Sequence, residues 1–330
     1  MEILLILIIL ASFLSTLLIM PIWIRKAKQI GLIWEDMNKF GFPKNLAGSG
    51  GIVVVLGAIV GIFLYIAIQT FYFKSVDKIL LNIFVIICSV LLVSGIGFVD
   101  DLFGWKKGGL SIRSRIFLVL FSAIPLIAIN AGESIVLGIN FGIIYPLVII
   151  PFAVLGATTT YNCLAGFNGL ESSQGIIVLS ALALVTYLTG NSWLSVILLC
   201  MVASLLAFYI FNKNPARVLP GDVLTYAVGI LIAITAILGN IEKITLFFFT
   251  PYILEIILKS KGKLKKHSFG IPNPDGSLEM PYEKIYGLEH LAIKVLKKLK
   301  PNHKAYENEV VLVINGFQIL VIIIGLILFL

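Results

Sequence analysis

The sequence predicts an all-α, polytopic membrane protein, and three observations carry that prediction. Of its 330 residues, 59% are hydrophobic. Only 13% are charged, against about 25% in soluble domains. The apolar residues also gather into runs of about 20, the length that crosses the hydrocarbon core of a bilayer as a helix. Lipid offers no partner for backbone N–H and C=O groups. Runs this long and this uniformly apolar must therefore close their hydrogen bonds internally, as helices and not as barrel strands.

Ten spans are expected. The first, 3–23, ends on Trp23-Ile24-Arg25 where a signal peptide would show a small-residue cleavage site, and only Met1 and Glu2 precede it, so it reads as a retained helix. Spans 47–69 and 79–99 follow, the second running into Asp100-Asp101. Span 114–130 begins beside Arg115, and 144–161 ends at a polar turn opening with Asn162. Spans 174–190 and 192–211 come next, 221–239 starts behind Pro220, and 242–258 precedes the one long hydrophilic stretch. Span 309–330 closes the chain. The organisation is thus a single domain, 1–330, with a loop insertion at about 259–308 between the last two spans. Within it, Pro272-Asn273-Pro274-Asp275-Gly276 signals a turn. Leu288, Leu291, Ala292, Val295, Leu296 and Leu299 recur at helical spacing opposite Glu289, Lys294, Lys297 and Lys298. That pattern suits a basic amphipathic helix on the membrane surface, with a packed cytoplasmic cap as the alternative.

Basic residues set the orientation. The loops 24–46, 100–113, 162–173, 212–220 and 259–308, together with Arg115, hold all but Lys74, Lys78 and Lys243 of the 25 Lys and Arg. The positive-inside rule puts those loops in the cytoplasm and both termini outside. The net charge of +8 is therefore mainly a topology signal. It does not imply nucleic-acid binding, and phosphates or anionic lipid headgroups are the natural partners of the basic face. Cys88 and Cys200 fall within spans and Cys163 beside a polar loop, a spacing that suggests neither a disulfide framework nor a zinc site.

The unusual polar clusters share the basic side. Gly95 to Lys107 carries Asp100-Asp101 at the end of a span, where a carboxylate is costly but less so than at the bilayer centre. Adjacent helical residues do not share a face, so one of the two is expected to look into a site while its neighbour holds a Lys or Arg. Asn162-Cys-Leu-Ala-Gly166-Phe-Asn168-Gly-Leu-Glu171 places amides in a turn whose glycines let the backbone approach a ligand. Asp222 follows Arg217-Val-Leu219-Pro-Gly at a helix start, where the dipole favours an anion, N-capping being the plainer reading. Lys265-Lys266-His267 ends a basic run able to grip a diphosphate, or to anchor at the membrane surface. Carboxylate, amide and cation converging on one face suit metal-assisted phosphate chemistry. A secondary transporter, the rival class, binds near the midplane and often shows inverted repeats. No such repeat is found, and these clusters lie at loop level.

At these residues the chain resembles the polyprenyl-phosphate N-acetylhexosamine-1-phosphate transferase family, in particular its eukaryotic and archaeal dolichyl-phosphate branch. Asp36-Met-Asn38-Lys39, Gly97-Phe-Val-Asp100-Asp101, the Asn162–Glu171 segment, Arg217-Val-Leu-Pro-Gly221-Asp222 and Gly276-Ser-Leu-Glu-Met-Pro-Tyr282 occur in the family's order and spacing. The resemblance implies ten transmembrane helices, often as a homodimer, in the plasma membrane. It also implies Mg²⁺ (with Mn²⁺ able to take its place), a UDP-sugar donor such as UDP-N-acetylglucosamine, and a polyprenyl or dolichyl phosphate acceptor at a cytoplasmic cleft. Asn162 and Asp222 match the metal ligands. Gly166 and Asn168 match the uracil turn, with Glu171 ending the motif. Asp100 and Asp101, with Lys39 and Arg115, fall at catalytic positions. Asp36, Asn38, Leu219, Lys265, Lys266 and His267 fall at substrate positions. This chain departs from the pattern at His267, where an Arg is found, at Leu219, where relatives place an aromatic ring against uracil, at Thr159, where Asn is common, and at Arg115, which replaces a Lys. Ala165 and Asn168 stand where bacterial cell-wall members often carry Asp.

Overall fold

The computed structural model describes residues 2–74, 79–136 and 138–330. Met1 and Lys78, used above to read the first span and the orientation, lie outside them. The chain is an α-helical bundle with small β pairings at its loops. Helix α1 (Glu2–Gln29) leads into a hairpin of β1 (Ile33–Glu35) and β2 (Lys44–Ala47), followed by α2 (Gly51–Ala67), which ends in a π-helical turn. Next come α3 (Ile79–Lys107), α4 (Ile112–Phe121) and α5 (Ile124–Ala128), then the pair β3 (Ile135–Val136) and β4 (Ile139–Asn140). A second π-helical turn opens α6 (Ile150–Tyr161), and α7 (Leu170–Leu188), α8 (Ser192–Asn212) and α9 (Gly221–Gly239) follow. Helices α10 (Glu242–Phe248) and α11 (Thr250–Lys261) lead to the insertion, which holds β5 (Ile271–Pro272), β6 (Ser277–Glu279), α12 (Leu288–Leu299) and β7 (Ala305–Tyr306). The long α13 (Glu307–Phe329) ends the chain.

Among the described residues, seven helices are long and apolar enough to span a bilayer: α1, α2 with its π turn, α3, α7, α8, α9 and α13. The other three predicted spans are helical but interrupted or short. Span 114–130 breaks between α4 and α5, and 242–258 breaks between α10 and α11. In each case a proline, Pro125 or Pro251, stands in the first turn of the second piece. Proline has no N–H to continue the ladder and its ring clashes with the carbonyl four residues back. Span 144–161 becomes Tyr145–Tyr161, an apolar helix below spanning length that carries Pro146 and Pro151. Apolarity alone registers these segments as membrane-length, and the prolines divide them.

Helix α9 is central: 83% of its span is buried within the protein, against 22% for α1, whose residues mostly face outward. It packs against α3, α6 and α2. The crossing with α3 is close enough that a Cβ added at Gly97 would lie 2.6 Å from the backbone carbonyl of Asp222, as small residues permit where helices meet without a hydrophobic drive. In α12 the predicted apolar stripe divides. Leu288 and Ala292 are buried, while Leu291, Val295 and Leu299 stay exposed beside Lys294 and Lys298. The helix contacts α11 and α13, so one face is a packed cap and the other keeps an apolar, basic edge.

Gly97→Ala is expected to destabilise the protein by about 1–3 kcal/mol through overpacking at this crossing, read as a lowered thermal unfolding midpoint in detergent. An unchanged midpoint would show that the two helices do not meet so closely.

Candidate active site

The polar ends of the central helices enclose a cavity of about 450 Å³. It lies at the end of the bundle that gathers the C-terminal ends of α3 and α6, the start of α9 and the insertion. On one wall, α3 continues past its predicted end, so Asp100 and Asp101 sit within helix and point in different directions. Asp100, 2% exposed, is not among the residues lining the cavity, though it lies beside the Asp222 side chain. Its carboxylate pairs with Arg115, at 2.5 Å from Nε and 3.1 Å from Nη2, and accepts the Leu110 N–H at 2.7 Å. Asp101 faces the cavity, and its Oδ1 accepts the backbone N–H of Asp222 at 2.8 Å. A carboxylate from α3 thus satisfies one of the N–H groups that the first turn of α9 leaves unpaired. The other oxygen, Oδ2, is buried with no hydrogen-bond partner.

Asp222 and Asn162 arrive from different helices. Asn162 is the C-cap of α6 and Asp222 stands in the first turn of α9. The Thr225 hydroxyl joins them, 2.9 Å from Asn162 Oδ1 and 3.3 Å from the Asp222 carbonyl oxygen. The segment before α9 is itself fixed: Leu219 N–H donates to the Ala47 carbonyl at 2.8 Å, and Gly50 N–H donates to that of Leu219 at 2.9 Å. Leu219 thereby reaches the cavity wall.

The Asn162–Glu171 turn forms a third side. Glu171, in the first turn of α7, accepts the Gly166 N–H at 2.8 Å, and Asn168 Nδ2 donates to Asp36 Oδ2 at 3.0 Å. Gly166 has φ +109, and a Cβ there would lie 2.7 Å from the Phe269 ring, so only glycine allows this turn to meet the loop from the insertion. That loop brings Lys266, His267 and Phe269 to the cavity. The Lys266 ammonium rests 4.5 Å from the centre of the Tyr282 ring, whose hydroxyl accepts the His267 N–H at 3.2 Å.

Asp36, Asp101, Asn162, Gly166, Asn168, Glu171, Leu219, Asp222, Lys266 and His267 therefore line one cavity. Others singled out in the sequence stand behind it. Asn38 donates to the Gly166 carbonyl at 2.8 Å and accepts the Gly270 N–H at 3.2 Å, clamping the turn to the loop. Lys39 pairs with Glu307 and donates to Asn214 Oδ1 at 2.7 Å. Asp100 and Arg115 are paired as described, and Lys265 is absent from the cavity lining. Sequence reasoning overlooked Trp34, Ser49, Thr225, Lys259 and Phe269, all on the wall. It also overlooked Glu307, which accepts the Asn168 N–H at 2.8 Å. For Glu307, an acidic pair with Glu309 opening the final apolar helix was the available signal.

Among the described residues, no group of three or more His, Cys, Asp or Glu is arranged to hold a metal. The donor set is instead one carboxylate, one amide oxygen and the unpartnered Asp101 Oδ2, an all-oxygen set of the kind a hard cation takes when phosphate and water complete its shell.

The family model for glycosyl transferase family 4 matches residues 83–240, which covers both carboxylate positions on α3, the amide turn and Asp222. A protein of Saccharolobus solfataricus, provisionally named a UDP-N-acetylglucosamine–dolichyl-phosphate N-acetylglucosaminephosphotransferase, is 35% identical over 94% of this chain and 92% of its own length. One of Sulfolobus acidocaldarius with the same provisional name is 29% identical over 97% and 94%. The phospho-N-acetylmuramoyl-pentapeptide-transferase of Streptococcus thermophilus is 28% identical over 79% and 81%.

Lys39→Met should lower stability by about 1–3 kcal/mol, because it leaves the buried Glu307 without its cation. The double variant Lys39→Met/Glu307→Gln should recover most of that loss in denaturant unfolding. Recovery of stability without recovery of turnover would instead place Lys39 in the chemistry.

Similarity that runs nearly end to end at 35% identity makes this multi-pass membrane protein a member of glycosyl transferase family 4, the polyprenyl-phosphate N-acetylhexosamine-1-phosphate transferases.

Proposed function

We propose that the protein transfers N-acetylglucosamine-1-phosphate from UDP-N-acetylglucosamine to dolichyl or another polyprenyl phosphate, yielding polyprenyl-diphosphate-N-acetylglucosamine and UMP, the first step of lipid-linked oligosaccharide synthesis for N-glycosylation. The observation that carries this reading is the joining of Asp222 to Asn162 through Thr225, opposite the Lys266–Phe269 loop, in one cavity. The provisional names of the two archaeal relatives agree with it. In the reaction an acceptor phosphate oxygen bonds to the β-phosphorus while the bond from that phosphorus to the bridging oxygen breaks, and UMP leaves with the electron pair.

Asp222 and Asn162 are suited to hold Mg²⁺, with donor phosphate oxygens and water filling the shell. When bound, the ion supplies neutralisation of the charge that develops on the leaving phosphate. Lys266 and His267 face the diphosphate and sugar, and Gly166 and Asn168 present the turn to the base. Asp100, neutralised by Arg115 and outside the cavity lining, orders α3. An acceptor phosphate with a second pKa near 6 is already mostly dianionic at neutral pH, so a general base has little to add. An apolar groove of about 420 Å³ between α6, α9 and α11, with Phe152, Ile232 and Ile257 on its walls, suits the acceptor's prenyl chain. The bias of Lys and Arg toward this end of the bundle supports a site that faces the cytoplasm.

Purified protein given labelled UDP-N-acetylglucosamine, dolichyl phosphate and Mg²⁺ should release UMP in step with a labelled lipid. Chelation should abolish turnover and added Mg²⁺ restore it. Uptake into vesicles without a lipid product would indicate a transporter. Asp222→Ala should lose most activity, on the order of 10²–10³-fold as for removal of a group stabilising transition-state charge, with Asp100→Asn far milder. The opposite ranking would overturn these roles.

A further inference from the structure

Behind the cationic loop lies a buried cluster that the proposed chemistry does not use. Glu255, Glu289 and His290 are all fully buried, where charged groups are almost never left unpaired. Glu255 comes from α11 and accepts the Leu288 N–H at 2.6 Å, capping α12. Glu289 stands one residue further along, against Glu255 and Ser268. A Cβ built on Gly287 would lie 2.5 Å from one Glu289 oxygen and 3.0 Å from one of Glu255, so the two carboxyls crowd a single spot. Neither Glu289 oxygen receives a hydrogen bond as a carboxylate.

Lys259 is the cluster's cation, and its partners lie on two walls of the donor cavity. It pairs with Glu255 at 3.3 Å, donates to Ser268 Oγ at 2.8 Å, and donates to the backbone carbonyl of Cys163. Cys163 follows Asn162 at the end of α6, and Ser268 sits between His267 and Phe269. Two hydrogen bonds and one ion pair thereby hold the ammonium on the protein's own groups. We propose that Lys259, held by Glu255 and Glu289, is a positioning residue that fixes the Lys266–Phe269 loop against the Asn162 end of α6 and so sets the width of the donor cavity.

The charge balance agrees with this role. Burial first, and then the neighbouring Glu255, push the Glu289 carboxyl well above the usual carboxylate range. Burial lowers the pKa of Lys259, but Glu289 and Glu255 outweigh it and keep the amine protonated. A neutral Glu289 can donate to its neighbour, leaving one carboxylate and one ammonium. Such a cluster resists rearrangement because moving one buried member leaves the opposite charge without its counterpart. A loop displaced by about 1 Å can cost on the order of a hundredfold in an enzyme that works by alignment, which is why a residue that acts through the loop can govern donor binding.

The inference rests on the transferase reading, and kinetics with UDP-N-acetylglucosamine, dolichyl phosphate and Mg²⁺ separate the two. Wild-type protein that forms no lipid product defeats the reading itself. With wild type active, Lys259→Met is expected to raise KM for UDP-N-acetylglucosamine by about tenfold or more, with kcat within about threefold and KM for the acceptor unchanged. Glu289→Gln, which keeps the shape and hydrogen of the neutral acid, should stay within about twofold of wild type, while Glu289→Ala should follow Lys259→Met. An unaltered donor KM in Lys259→Met overturns the proposal. So does a collapse of kcat at constant KM, which would put the amine in the chemistry. Loss of the monodisperse folded peak in size exclusion also overturns it, because the cluster would then hold the fold and not the loop.

Discussion

The hydrogen bond from the Asp222 backbone N–H to the Asp101 carboxylate is the contact from which the site's geometry follows. In lipid, a helix end has no water to satisfy its first N–H groups, so the start of α9 needs an acceptor from elsewhere in the protein. Asp101 supplies it from α3, and that fixes where Asp222 stands. Thr225, one turn further along α9, then reaches Asn162. A requirement of backbone chemistry thus brings a carboxylate and an amide from separate helices to one point. The close crossing at Gly97 makes the reach short enough.

The aspartate pair shows how helix geometry assigns different work to adjacent, identical residues. Successive side chains on an α-helix lie about 100° apart, so Asp100 and Asp101 cannot face the same way. One meets Arg115 and becomes half of an ion pair, and the other meets α9 and the cavity. Removing Arg115 would leave Asp100 as an uncompensated buried charge, the situation in which an ion pair matters most for folding. The pair is therefore a hinge of the fold and a wall of the site together, with the two duties divided by residue.

Most of the bundle and much of the cavity were legible because the signals are local and strong. Apolar runs mark the helices, and polar residues at their ends mark a face. The expected division of Asp100 from Asp101, one held by a cation and one toward the site, follows from helical spacing alone. What the sequence concealed depends on distance in three dimensions. Pro125 and Pro251 divide two stretches that apolarity reads as single spans. Lys39 reads as a cation at a catalytic position, and its pairing with Glu307, far along the chain, has no signal in the sequence. Lys259 looks like one lysine in a basic run, and only burial and its partners set it apart from Lys265. Phe269 carries no periodic signal, yet it packs against Gly166.

The charges around the cavity explain why its parts come from distant stretches of chain. Asp101 and Asp222 make one wall acidic, with Asp100 behind it balanced by Arg115. Alone, that wall would repel a diphosphate, since like charges a few ångströms apart interact by several kcal/mol at the roughly 20-fold effective screening found near protein surfaces. Two remedies exist, and the fold supplies room for both. A divalent cation between acid and phosphate reverses the sign locally, which is the physical reason the proposed chemistry includes Mg²⁺. The insertion supplies the other, carrying the Lys266 ammonium and His267 to the cavity wall. Asn38 bonds both the turn and this loop, and Lys259 bonds both the end of α6 and the same loop, so the cationic side is tied by polar contacts to the segment that carries Asn162 and Gly166. Buried polar contacts within the protein thus hold the loop against the turn, while the acidic wall is positioned separately, by the bond between Asp101 and the start of α9.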